Sequence, residues 1–150
     1  MSDDTDAPFL SPAVGRKKVI AGFDGGRITF DGGVMLLAAA ERRLGIADRL
    51  TGLIADPLNP LFVTHSVAGI LRARMLATAC GYKDADDLDH LRIDPGFKLA
   101  CGRLPDSGRD LCSQSTVSRW ENAPTLREVM RLSHAKVDAH CASYLRPARR

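Results

Sequence analysis

The 150-residue sequence holds no apolar run approaching the ~18 residues of a membrane-spanning helix, so no such helix is expected. Its N-terminus is acidic (Asp3, Asp4, Asp6), without a basic segment leading into an apolar one, so no secretion signal is read there. No two cysteines stand at C-x-x-C spacing. Cys80, Cys101, Cys112 and Cys141 fall mostly within apolar helical patterns, which implies reduced, buried thiols and a cytoplasmic location. A large excess of one charge is also missing, because 21 basic residues against 18 acidic ones leave a formal +3. That balance permits nucleic-acid binding without demanding it. The distribution is more telling than the total: Asp84, Asp86, Asp87, Asp89 and Asp94 crowd one segment, while Arg146, Arg149 and Arg150 close a basic end.

What is present reads as a mainly α-helical chain preceded by a short N-terminal β-hairpin. Residues 1–15 are polar, hold two prolines and show no periodicity, so they are expected to be a flexible tail before a helical domain over 16–150. Val19 to Phe30 reads as two short strands around Asp24-Gly25, a pair suited to a tight hairpin turn. The tetrad Phe-Asp-Gly-Gly occurs twice, and its second copy (30–33) opens a helix that Gly45 should stop. A shorter helix is expected over Ile46–Ile54. A core helix is expected over Ser66–Cys80, with Val67, Ile70, Leu71, Met75 and Thr78 on one stripe. Arg74 shares that stripe; either the acidic segment downstream supplies its anion, or the side chain snorkels to water. Asp84 and Asp94 read as helix caps, the latter followed by Pro95 at the first helical position. Thr125 and Glu128 form a capping box for a last helix striped with Leu126, Val129, Met130, Ser133, Val137, Cys141 and Tyr144.

Three constellations could carry chemistry. Asp24, at the end of an apolar run, could bind Mg²⁺ as in a ribonuclease-H-like strand. Such a site needs partner carboxylates on neighbouring strands, and no later segment reads as a strand, so a turn role is the simpler assignment. Cys101, Cys112, His134 and His140 fit no zinc spacing, so no metal ligands are assigned. The third is Ser113-Gln-Ser-Thr-Val-Ser-Arg-Trp-Glu-Asn122, where Val117 and Trp120 can anchor a helix. Ser113 would cap it, and Gln114, Ser115, Ser118 and Arg119 would face outward as donors for phosphates and base edges. A helix-turn-helix needs a turn of about 3–4 residues before that recognition helix, and the previous helix ends roughly ten residues earlier.

Three blocks, GFDGGRITFDGGVMLL (22–37), GYKDADDLDHLRIDPGFKL (81–99) and SQSTVSRWEN (113–122), together resemble the N-terminal region of insertion-sequence DDE transposases. The resemblance spans about residues 18–145 and is most specific in the middle block. It implies binding to the terminal inverted repeats of a mobile element. Catalysis would then lie in a later ribonuclease-H-like domain whose carboxylates hold Mg²⁺. In similar sequences the first catalytic Asp follows the last helix, whereas this one closes at Arg-Pro-Ala-Arg-Arg150. The expectation is a truncated transposase: no catalytic residue, no cofactor of its own, DNA as partner and a homodimer allowed. DNA contacts are expected from Ser113, Gln114, Ser115, Ser118, Arg119, Arg146, Arg149 and Arg150. Two rivals remain, a stand-alone helix-turn-helix regulator and an interaction module that touches no nucleic acid.

Overall fold

Gly45 ends the first helix as its sequence position predicts. The computed structural model describes residues 13–20, 27–54 and 64–144, and in it α1 spans Val34–Leu44. Gly45 follows at φ +61°, the left-handed state that glycine enters without a Cβ penalty. The same residue opens α2 (Ile46–Thr51), which ends three residues short of Ile54. The orphan amides of α2 are met by α1: the buried Glu41 carboxylate accepts from Ile46 N at 3.2 Å and Ala47 N at 2.9 Å. Arg72 Nε stands 3.9 Å from the same group. A carboxylate at a helix N-terminus with two amide donors is stabilised enough to be buried.

The central helix α3 (Val67–Ala79) is capped by Ser66, whose hydroxyl accepts from Gly69 N at 3.2 Å. Its buried set is Val67, Ile70, Leu71, Ala73, Leu76 and Ala77. Met75 is only half-buried and Thr78 is exposed, so the expected stripe is partly wrong. The cause is the number of neighbours: α3 packs on α1, α2 and the short α4 (Leu88–Leu91), and a helix covered on several sides buries more than one stripe. Asp84 is not a helix cap either. Its carboxylate accepts from Asp86 N at 3.4 Å, turning the chain locally, and α4 begins only at Leu88 behind Asp87.

Asp94 does cap, as expected, accepting from Phe97 N at 2.9 Å at the head of α5 (Pro95–Ala100). Phe97 is the centre of the core, with Val34, Ala38, Ile70, Leu76, Leu88, Leu91, Leu111 and Val117 buried in the same cluster. The segment over 27–30 leans on this region by side chains rather than as a strand. Arg27 donates to Ile93 O at 2.9 Å and to Pro105 O at 3.3 Å, and Thr29 donates to Asp94 Oδ1 at 2.8 Å. Gly96 permits that approach, because a Cβ there would overlap the Thr29 hydroxyl and lie 2.9 Å from its Cβ. The expected hairpin turn at Asp24-Gly25 lies outside the described residues. Among those described, Val14 pairs with Lys17 in an isolated bridge turning at Gly15. The fold class is mainly helical.

Two helices complete the chain, α6 (Gln114–Glu121) and α7 (Leu126–Tyr144). The capping box is present in both directions: Thr125 N donates to Glu128 Oε2 at 2.8 Å, and Glu128 N to Thr125 Oγ1 at 3.4 Å. The apolar stripe of α7, however, does not enter the core. Leu126 is 76% exposed and Tyr144 77%, with Val129, Met130 and Val137 also in the open. The inward side carries Leu132, Ala135 and Ala139, half-buried, on the helix that packs against α2. Two of these three are alanines, whose short side chains let the helices meet, and most of the long apolar side chains are left outside.

Candidate nucleic-acid interface

The orientation of α6 follows from two side chains three residues apart. Val117 is fully buried and Trp120 packs on the same core cluster, so the opposite side of the helix must face water. Ser115 and Arg119, one turn apart, are both exposed there. Gln114 and Ser118 are half-buried and bonded to one another, with Gln114 Nε2 donating to Ser118 Oγ at 3.1 Å. Ser113 does not cap with its side chain: its hydroxyl lies 3.1 Å from both Ser115 Oγ and Thr116 Oγ1. The first amide of α6 goes instead to Asp89, since Gln114 N donates to Asp89 Oδ1 at 3.0 Å. A cap from 25 residues upstream leaves no local trace, so sequence reasoning missed it.

That carboxylate changes the electrostatics of the site. A helix N-terminus ordinarily attracts a phosphate, but here Asp89 already occupies the approach. Phosphate contact through the first turn is thereby weakened, and Arg119, at the other end of the exposed face, becomes the group with free reach. Arg146, Arg149 and Arg150 lie outside the described residues.

The far end of α6 is held by Arg74. Its Nε donates to Glu121 Oε1 at 2.6 Å, Nη2 to Lys83 O at 2.8 Å, and Nη1 to Tyr82 O at 3.2 Å. The anion expected for this guanidinium therefore comes from α6, and the acidic segment contributes carbonyl oxygens only. Arg74 joins the loop after α3 to the helix that presents Arg119.

The first and middle blocks of the sequence meet in a cleft of about 460 Å³ whose walls include Ile28, Phe30, Asp31, Tyr82, His90 and Asp94. The Tyr82 hydroxyl donates to the Asp31 carboxylate. This bond, helped by burial, pushes the phenol pKa up to about 12. The neutral phenol is thus favoured in the fold, so its contribution is complete below the unfolded value near 10 and disappears as pH rises through about 12. We expect Asp31→Asn to bring the Tyr82 titration, followed by ultraviolet difference spectra, back toward 10. An unchanged midpoint would show that Asp31 is not the cause.

Two of the three carboxylates lining this cleft are committed to structure, Asp31 to the phenol and Asp94 to Phe97 N and Thr29. Among the described residues no three His, Cys, Asp or Glu side chains converge as metal ligands. Cys112 is buried and Cys101 half-buried, burial pushing the Cys101 thiol up to about 12, whereas His134 and His140 are exposed on α7. Near the start of α3, burial and then Arg103, Arg109 and Arg92 lower the His65 pKa, and Arg103 Nη2 stands 3.1 Å from His65 Nδ1.

The family model described as Transposase DDE domain group 1 matches residues 11–150. No curated protein and no solved structure matches the chain.

Proposed function

The chain belongs to the Transposase DDE domain group 1 family, and from that membership we propose that these residues engage the terminal inverted repeats of an insertion sequence. The observation that carries the reading is the exposed Arg119, presented beside Ser115 on a helix fixed from behind by Val117 and Trp120. A guanidinium so placed can take a backbone phosphate or the paired acceptors of a guanine in the major groove. The basic residues Arg146, Arg149 and Arg150 supply attraction that is independent of sequence and sensitive to salt. The magnesium ions of DDE chemistry do not fit the described residues, which bring no three acidic side chains together. The reading concerns DNA engagement.

The test separates the two contributions. Arg119→Ala should cost about 1–3 kcal/mol of discrimination between element-end and random DNA. Removing the three C-terminal arginines should weaken binding to both and flatten the salt dependence, by up to about 0.9 in slope per lost phosphate contact. Circular dichroism first establishes that Arg119→Ala keeps its helix. Equal affinity of wild type and Arg119→Ala for element ends across a salt series would remove α6 from the interface and favour an interaction module.

A further inference from the structure

We propose that a second copy of this chain covers the outer face of α7, the two helices packing antiparallel about a two-fold axis near Ala135. Leu126, Val129, Met130, Val137 and Tyr144 line one side of a 19-residue helix, with Ser133 and Cys141 between them, and all seven are exposed. At 100° per residue this strip lies opposite the half-buried Leu132, Ala135 and Ala139, so the body of the protein leaves it uncovered. A strip of this size rimmed by charge is the usual mark of a contact surface.

The flanking charges select both the occupant and its direction. One flank carries Arg127, Arg131, His134 and Asp138; the other carries Lys136. A parallel pair sets the basic flank of one helix against Lys136 of the other. An antiparallel pair sets each flank against its own counterpart: Arg131 of one copy comes beside Asp138 of the second, twice by symmetry, and these two pairs outweigh the single approach of Lys136 to Lys136 at the axis. The strip is then self-complementary, with Leu126 near the second copy's Tyr144 and Val129 near its Cys141. A helix of 19 residues is about 28 Å long. Such a pair stays at the small end of specific interfaces, below about 1,200 Å² in total, so dissociation is expected in the micromolar range.

Sedimentation velocity over about 1–100 µM tests the inference in the range where such an interface dissociates. The wild-type chain should pass from monomer to dimer mass. Val137→Arg, at a position 57% exposed, should stay monomeric with unchanged circular dichroism. Asp138→Arg should weaken the dimer roughly tenfold, and adding Arg131→Asp should restore it. Direction is read by mild oxidation. Antiparallel packing holds the two Cys141 thiols about 18 Å apart along the axis, while Val129→Cys meets Cys141 of the other copy and should cross-link. A monomer at every concentration, a dimer indifferent to Val137→Arg, or a Cys141–Cys141 disulfide in the wild type would each overturn the proposal.

Discussion

Phe97→Ala is expected to destabilise the protein by about 3–5 kcal/mol, the range for deleting a buried phenylalanine from a close-packed core. The ring is 1% exposed and meets the Tyr82 ring edge-on at 6.0 Å. It also stands where α5 joins the packing of α1, α3 and α4, so the neighbours can collapse only partly into the vacated space. A domain of this size has about 5–15 kcal/mol in all, so the variant would keep little in reserve at 37 °C, if it folds at all. Urea unfolding should show a large fall in midpoint with an unchanged slope, the signature of lost stability without altered compactness. Phe30→Ala is the internal control. That ring is 93% exposed, and its removal should stay within about 0.5 kcal/mol. A midpoint for Phe97→Ala equal to that of Phe30→Ala would mean the core is not centred where the structure places it.

What could be read from the sequence was local. Gly45 needs only its own backbone to stop α1, Asp94 and Pro95 cap α5 within one turn, and Thr125 reaches Glu128 across three residues. The anchoring pair of α6 was legible for the same reason, because Val117 and Trp120 share a side of any helix that contains both. What escaped the sequence lay between one element and another. Glu41 caps α2 from within α1, and Asp89 caps α6 across a loop, roles that no spacing rule announces. Periodicity shows that α7 has an apolar side but not what meets it; the side that is half-buried carries Leu132, Ala135 and Ala139, and the broad apolar strip remains outside. The acidic segment misled in a related way. Asp84 had the composition of a cap, yet the following residues turn rather than coil, and its backbone carbonyl serves Arg74 instead. At the candidate site, the outward face of Ser115 and Arg119 was readable, whereas the blocking of the helix N-terminus by Asp89 was not.

Arg74→Met is expected to cost about 3 kcal/mol, and the way that cost divides reveals what Arg74 does. Charge-assisted hydrogen bonds contribute about 1.5–3 kcal/mol each in favourable settings, but bonds sharing one side chain do not add. The guanidinium is 17% exposed and Glu121 is 36% exposed, so the ion pair is partly screened by water. The bonds to Tyr82 O and Lys83 O are different, since methionine removes both donors at once and the Tyr82 carbonyl is partly buried. Glu121→Gln should therefore cost only about 0.5–1 kcal/mol, because it removes the charge pair and leaves the carbonyl bonds intact. Salt near 1 M should shrink the Glu121→Gln effect and scarcely touch that of Arg74→Met, as screening acts on the exposed pair. The consequence for function is positional. With Arg74 gone, the C-terminal turn of α6 loses its tie to the loop after α3, and its amides should exchange with solvent faster than those of α3. Arg119 sits on that turn, so Arg74→Met should also blunt DNA discrimination without removing any DNA-contacting group. Should Glu121→Gln destabilise as much as Arg74→Met, the ion pair would be the true fastening and the carbonyl bonds incidental.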